Sequence, residues 1–232
     1  MRSSIQLAAM VSLAVFAGSA VAVAADHTDG SEVKKDSSTD INDVFAFTKD
    51  KKLVVAMSVG GVTAPAALSN AAVYTFHIDR HAAPLAPAAM GKSNTLSCKF
   101  ASATSAECWA VDSTGKTVDY VKGDPSTAMT SASGKLKIHT GLHQDPFFFF
   151  LVGLNKAIET VQGAAAGLMA YPSGCPKLNQ ATVETLQGQL TGTAVNNFAA
   201  LNQQIIVAEL DPAFGGAGDY VAVWGSTNKI GN

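Results

Sequence analysis

The sequence predicts a mainly β protein, an antiparallel β-sandwich or jelly-roll-like fold with one or two short inserted helices. Short segments rich in β-branched and aromatic residues recur along the chain, and Gly, Pro and Asp clusters separate them. Several of these segments alternate polar and apolar residues, which is typical of half-buried antiparallel strands. No blade-length repeat is visible in the sequence, so a β-propeller is less favoured.

Nine strands are predicted from this pattern. They cover residues 44–48, 53–59, 73–79, 96–100, 106–111, 117–121, 135–140, 204–210 and 220–225. The first three combine β-branched and aromatic residues, and Lys49-Asp50-Lys51 and Gly60-Gly61 supply turns. The last two are separated by the turn Asp211-Pro212 and a Gly-rich loop at 215–218.

Helical spacing of apolar residues predicts one helix over 149–161 and a second, more polar one over 180–190. The first helix is predicted to begin within a run of four phenylalanines, residues 147–150. This run directly follows His143-Gln144-Asp145-Pro146. Burying one Phe side chain contributes about 1.5–3 kcal/mol to folding, so most of these rings are expected to anchor a core. The polar residues before them are expected to cap its edge.

Residues 1–25 have the pattern of a secretory signal peptide, with Arg2, a short apolar run and small residues ending in Ala24-Ala25. After its removal no stretch reaches the roughly 18 continuous apolar residues of a membrane span. We therefore expect residues 26–232 to form a single β-rich domain with an extended N-terminal arm. Its predicted location is periplasmic or extracellular.

The charge balance disfavours nucleic acid as a partner. The chain has 16 basic and 18 acidic residues, and no basic cluster exceeds the turn Lys49-Asp50-Lys51-Lys52. Phosphate binding requires a basic patch, so the expected partner is an unknown ligand or protein.

Three cysteines in an exported chain predict one disulfide and one free thiol. Cys98 and Cys108 are the favoured pair because their segments are predicted as the two strands of one hairpin. A bridge from Cys175 to either of them remains open.

Asp40, Asn42 and Asp43 precede a predicted strand and offer oxygen ligands for calcium, with Asp145 joining from a neighbouring loop. The spacing lacks the ligand ladder of a calcium-binding helix-loop-helix. The alternative is structural: Asp43 and Asp145 accept backbone N–H bonds in turns.

Histidines suggest further metal ligands. His77, Asp79 and His81 share a face if their strand continues, but the strand is expected to end at Asp79 with this face in solvent. His139 and His143 flank Gly141 and would act with Asp145, or else are merely hydrogen-bonded edge residues.

Cleavage after Ala24 would create the terminus Ala25-Asp26-His27. Its amine, two amides and the imidazole of His27 suit square-planar Cu(II) or Ni(II). The metal candidates are therefore Asp43, His143, Asp145 and His27, with calcium or a transition metal as the cofactor.

No catalytic signature occurs in the sequence. The nearest approach to a nucleophile elbow, Gly91 to Thr95, has Thr95 where the second Gly should stand. A non-enzymatic binding or structural module is therefore favoured, and a metal-dependent enzyme with a His/Asp site near residues 143–145 is the alternative. Trp109 and Trp224 are expected at the core or its edge rather than on a sugar-stacking platform.

Four segments together resemble an uncharacterised family of exported bacterial proteins catalogued as a domain of unknown function, number 4331. These segments are Ala25-Asp26-His27, residues 40–47, residues 141–149 and Val223-Trp224-Gly225-Ser226-Thr227. The resemblance implies export and a β fold but no activity. The family pattern favours Arg and Asp before the Asp-Pro-Phe-Phe element and an acidic residue after it, where this chain has His143, Gln144 and Phe150. The lost acidity weakens a hard-cation site there.

Overall fold

The computed structural model describes residues 30–60, 67–83, 93–144, 148–164, 171–173 and 176–230. His27, Asp145, Cys175 and the predicted signal peptide lie outside the described residues. The chain divides into two compact units, a larger one formed by Asp26–Asp145 with Ala200–Asn232 and a smaller one containing Pro146–Ala199. The prediction of a single domain after residue 25 stays a prediction.

Twelve strands and two α-helices are described in this part of the chain. In order they are β1 (Ile41–Lys49), β2 (Lys52–Val59), β3 (Ala72–His81), β4 (Asn94–Ser102), β5 (Ser105–Val111), β6 (Thr117–Gly123), β7 (Met129–Thr130), β8 (Leu136–Gln144), β9 (Phe148–Phe149), α1 (Leu151–Ala164), α2 (Gln180–Leu190), β10 (Val195–Asn196), β11 (Asn202–Leu210) and β12 (Tyr220–Lys229). Short 3₁₀ turns lie at Ser37–Thr39 and Pro125–Thr127.

The larger unit is a sandwich of two five-stranded antiparallel sheets, so the predicted fold class is confirmed. The first sheet has the order β1-β2-β11-β8-β7, and the second has the order β12-β3-β4-β5-β6. Alternate side chains from both sheets meet between them, because successive residues of a strand point to opposite faces. Tyr74, Phe76 and Ile78 of β3 and Ile138 of β8 are all fully buried there.

The predicted disulfide joins Cys98 and Cys108, which are paired directly across β4 and β5. Their Cα atoms are 4.2 Å apart, close to the roughly 4.5 Å typical of a non-hydrogen-bonded antiparallel pair. Both side chains are fully buried between the sheets. The hairpin prediction from the sequence is therefore confirmed.

Most of the predicted strands are longer in the structure, and two of these differences involve candidate site residues. β3 continues to His81 because β12 pairs with it along its whole length, with Tyr220 opposite His81. β1 begins at Ile41 rather than Val44, and an irregularity in its pairing with β2 lies between Ile41 and Asp43. Pairing with a neighbouring strand thus makes β1 and β3 longer than the pattern of apolar residues in the sequence predicts.

The smaller unit contains α1, α2 and the two-stranded ribbon of β9 and β10. The side chain of Asn179 caps α2 by accepting a hydrogen bond from the backbone N–H of Thr182 at 2.8 Å. Ala157 and Val161 of α1 pack with Leu186 of α2 in a small buried cluster. No helix in the described residues is long and apolar enough to cross a membrane.

The phenylalanine run does not anchor the core in the way the sequence suggested. Phe148 is 69% exposed, and Phe149 and Phe150 are only partly buried. Phe147 lies outside the described residues. The difference arises because Phe148 and Phe149 form the short strand β9, which pairs with β10 alone.

Candidate functional site

A cleft opens at one end of the sandwich, where β5 and β6 of one sheet meet the ends of β8 and β11 of the other. Its volume is about 360 Å³, within the range of about 300–1,000 Å³ typical of small-molecule sites. Apolar groups form much of its wall, namely Ala110, Val118, Leu136, Leu210, Ala213 and Phe214. Three carboxylates and one ammonium group also line it, from Asp112, Asp119, Asp211 and Lys135.

One wall of the cleft is the loop between β11 and β12, and Arg80 of β3 holds this loop in place. The Arg80 guanidinium donates to the carbonyls of Phe214 at 3.4 Å and Gly218 at 3.1 Å, and also to that of Pro212. The backbone N–H of Arg80 donates to the Gly215 carbonyl at 3.2 Å. Because a planar guanidinium offers several fixed donors, one side chain orders the whole loop.

Gly218 explains why this loop lies so close to β3. Its φ of 137° lies in a region that L side chains rarely adopt. A Cβ atom at this position would also lie 2.5 Å from the backbone oxygen of His81. Any larger residue would therefore push the loop, and with it Phe214, away from the sheet.

Asp112 and Asp119 are fixed by hydrogen bonds that favour their charged forms. Oδ1 of Asp112 accepts from the Thr114 hydroxyl at 2.6 Å and from the Lys116 N–H at 3.1 Å, which lowers the pKa of Asp112. Burial raises the pKa of Asp119, but hydrogen bonds from Ser133 and Ser131 outweigh it and leave that pKa below its ordinary value. Both side chains therefore carry negative charge at neutral pH.

The third carboxylate, Asp211, lines the cleft from the position directly after β11. Its Oδ1 accepts from the Ala213 N–H at 2.9 Å, and its Oδ2 lies 3.8 Å from Nζ of Lys135. Lys135 is therefore at the outer limit of an ion pair, which in an exposed setting contributes little. Among the charged side chains that line the cleft, three are negative and one is positive, and Lys116 adds a positive charge near Asp112.

Asp43 lies within β1 rather than in a loop. Its Oδ2 accepts a hydrogen bond from the Ser58 hydroxyl at 3.1 Å, and the same hydroxyl accepts from the Asp43 backbone N–H at 3.0 Å. Neighbouring Asn42 is buried, and its amide has no hydrogen-bond partner among the described residues. The Asp43 carboxylate thus accepts a bond from a side-chain hydroxyl within a strand, whereas the structural alternative expected a backbone N–H donor in a turn.

The structure does not bring Asp43 and His143 together. Asp43 pairs with Ser58, Ser58 with Ile205, and Ile205 with Gly141, so β2 and β11 both lie between the two residues. Three strand spacings of about 4.8 Å separate the two strands by about 14 Å. A metal–ligand bond is only about 2.0–2.6 Å long, so these two side chains do not share an ion. The proposed ligands His27 and Asp145 lie outside the described residues.

His77, Asp79 and His81 lie on one face of β3 because the strand continues past Asp79. His77 Nε2 is 2.9 Å from the Ser226 hydroxyl, and its ring stacks on Trp224 with centroids 5.1 Å apart. Oδ2 of Asp79 accepts from the Ser93 hydroxyl at 3.1 Å. Burial lowers the pKa of His77, and the charge of Asp79 opposes this only partly.

Both tryptophans lie on the outer face of the second sheet rather than in the core. Trp224 is 37% exposed, and Trp109 packs on Tyr120 with ring centroids 5.8 Å apart. Neither side chain belongs to the buried cluster between the sheets. Both residues were predicted at the core or its edge, and the structure places them at the outward positions of β5 and β12.

The smaller unit contains a cavity of a different character. It has a volume of about 340 Å³ and is lined by Phe148, Phe149, Phe150, Leu154, Ala157, Ile158, Val161, Leu190, Gly192 and Ala194. Every side chain in this lining is apolar or absent. The cavity therefore lacks the polar groups that fix the orientation of a specific ligand.

Among the described residues, no three side chains of His, Cys, Asp or Glu are grouped so that they could hold a metal ion. Comparisons of the chain with protein-family models, with curated proteins and with solved structures found no match.

Sequence reasoning missed the cleft. Asp112 and Asp119 belong to one hairpin, formed by β5 and β6, but Asp211 is distant in the sequence and joins them only through the packing of the two sheets. The available signal was the Asp211-Pro212 turn followed by three glycines, which marks a close backbone approach as well as a loop. Arg80 had no signal beyond a single charge at the end of a predicted strand.

Proposed function

We propose that this chain is an exported, non-enzymatic binding module whose ligand is a small organic cation with an apolar body. The cleft beside the Arg80-held loop is the single observation that carries the proposal. Its apolar wall would take the body of the ligand, and the Asp112, Asp119 and Asp211 carboxylates would take the charge.

Export to the periplasm or the extracellular space is part of the same proposal. It rests on the signal-peptide pattern of residues 1–25 and on the resemblance to the exported family described above. The Cys98–Cys108 disulfide is compatible with an oxidising compartment. Mass spectrometry of the protein recovered from the periplasm tests export, since a mature chain starting near residue 25 is expected.

The cleft needs no metal and no reacting group for this function. Its carboxylates accept hydrogen bonds from neighbouring hydroxyls and N–H groups, and they are arranged around an apolar wall rather than around a shared point. The alternative of a metal-dependent enzyme near His143 and Asp145 stays a prediction from the sequence.

The ligand class is tested with two probes, phenethylamine and 2-phenylethanol. Their binding to the full chain is measured by calorimetry or by nuclear magnetic resonance. The two probes share an aromatic body and differ in charge, so the amine is expected to bind more tightly. Asp112→Asn and Asp211→Asn keep the oxygen acceptors of the turns while removing charge. Each is expected to weaken amine binding about two- to fivefold, the effect of a partly exposed ion pair, and to leave alcohol binding unchanged.

Glu184→Gln is the matched control, because it removes an exposed carboxylate from α2 in the smaller unit. It is expected to bind the amine as the unchanged chain does. Equal binding of the amine and the alcohol, or equal loss in the Glu184→Gln variant, would contradict the proposed cation site.

A further inference from the structure

β8 carries two histidines on the outer face of the first sheet, with a glycine between them. Ile138 and Thr140 are buried between the sheets, so His139, Gly141 and His143 point away from the core. His139 is partly buried and His143 is exposed. This arrangement lies outside the cleft and does not depend on the proposed function.

The two imidazoles lean towards each other over Gly141. Four residues of a strand span about 13 Å, which is too far for a shared ion if both side chains stand upright. A Cβ atom on Gly141 would lie only 3.6 Å from Nε2 of His139 and 3.9 Å from Nε2 of His143. The two nitrogens are therefore at most the sum of these distances apart, about 7.5 Å. The missing side chain of Gly141 leaves the space between them open.

The surroundings leave both rings available as ligands. Across the sheet, His139 is paired with Val207 and Gly141 with Ile205, which are apolar, and His143 is paired with the polar residue Gln203. The next pair on this face of β8 and β11 is Lys137 and Glu209, whose Nζ and Oε1 atoms are 3.8 Å apart. Within the described part of the chain, neither imidazole has a hydrogen-bond partner.

From this geometry we propose that His139 and His143 form a two-imidazole site for a divalent transition-metal ion above Gly141. Metal–nitrogen bonds of about 2.0–2.1 Å require the two nitrogens to approach within about 4 Å, which rotation of the exposed His143 ring provides. Imidazole suits copper, nickel and zinc, and Cu²⁺ binds most tightly in this series. Water completes the coordination.

Two substitutions of Gly141 test the geometry with a minimal change of chemistry. Gly141→Ala adds a methyl group at ordinary contact distance and is expected to keep metal binding. Gly141→Val fills the space between the rings and is expected to abolish it, while a β-branched residue suits the strand. Retained circular dichroism and thermal melting would show that both variants fold.

Titration of the full chain with CuCl₂, read by electron paramagnetic resonance and by chelator competition, measures the site. All variants carry His27→Ala, which removes the copper site predicted at the amino terminus. His139→Ala and His143→Ala are each expected to weaken Cu²⁺ binding by about tenfold or more, with loss of one coordinated nitrogen. His77→Gln, on the other sheet, is expected to change nothing.

Cu²⁺ binding that is the same in the His139→Ala, His143→Ala and unchanged chains would overturn the proposal. Absence of any stoichiometric Cu²⁺ binding, or equal binding by the Gly141→Val and Gly141→Ala variants, would overturn it as well. A spectrum with two imidazole nitrogens that is lost only in the His139, His143 and Gly141→Val variants is the supporting result.

Discussion

The two units of this chain differ in the size of their own buried apolar cores. In the described residues of the sandwich, 21 buried side chains form one cluster that spans both sheets. The cluster between the helices of the smaller unit contains Ala157, Val161 and Leu186. Several large apolar side chains of the smaller unit are exposed, with Phe148 at 69% and Val152 at 72%.

This difference indicates which unit can keep a specific site. A binding site requires side chains whose positions are fixed by the packing beneath them, and local opening occurs most easily where buried contacts are few. The cleft carboxylates lie within β6 and directly after β5 and β11, on sheets with a large core, whereas the two helices beside the apolar cavity share a small core. This difference supports the proposal that the ligand binds in the sandwich.

The largest expected effect is the loss of a ring from the sandwich core. Phe76→Ala removes a fully buried side chain from the middle of β3 and leaves a cavity. The free energy of unfolding of the larger unit should fall by about 3–5 kcal/mol, as measured by denaturant unfolding. A loss below about 1 kcal/mol would mean that the core contributes far less than its burial indicates.

The disulfide comes next in size. Replacing both Cys98 and Cys108 by Ala releases a loop whose ends are 10 positions apart in the sequence. The chain-entropy model gives a loss of about 2–3 kcal/mol in the free energy of unfolding of the sandwich. Reduction of the unchanged protein with dithiothreitol should reproduce the effect, and the double variant should not respond to the reductant.

A matched substitution in the smaller unit tests its independence. Leu186→Ala removes the fully buried side chain between α1 and α2 and should cost about 2 kcal/mol, at the low end for Leu→Ala because so few buried side chains surround it. Hydrogen exchange should accelerate in α1 and α2 and stay unchanged in β3 and β8. Equal acceleration in the sandwich strands would mean that the two units unfold as one.

The smallest expected effect is a pH dependence from Asp119. Its pKa is below the ordinary value of 3.8 in the folded protein, so its charged form stabilises the fold. This contribution is fully present above pH 3.8 and is lost as the pH falls through the lower, folded pKa. Asp119→Asn should remove that part of the acid dependence of unfolding. An unchanged acid profile in the variant would refute the role of the Ser131 and Ser133 hydrogen bonds.

The sequence predicted the strands and helices well because their apolar residues repeat at the period of each element. Val55, Met57 and Val59 alternate inward along β2, for example, and Cys98 and Cys108 lie opposite each other in the predicted hairpin. The extra pairs of β1 and β3 came from neighbouring strands, which a local pattern does not contain.

The site was much less predictable for the same reason. Phe148 has a hydrophobic side chain, but its exposure depends on the short ribbon in which it is paired. Asp119 resembles an ordinary polar strand residue and Asp211 an ordinary turn residue until the packing of the sheets places them around one cleft. The exposure of Phe148 and the position of the two aspartates thus depend on strand pairing and sheet packing rather than on residue type.

Hydrogen–deuterium exchange of the full chain, with and without phenethylamine, tests the assignment of binding to the sandwich most directly. Slower exchange is expected in β6 and in the loop between β11 and β12, with no change in α1 and α2. Slower exchange confined to α1, α2 and the phenylalanine run, or no change anywhere at saturating phenethylamine, would contradict the placement of the ligand site in the sandwich cleft.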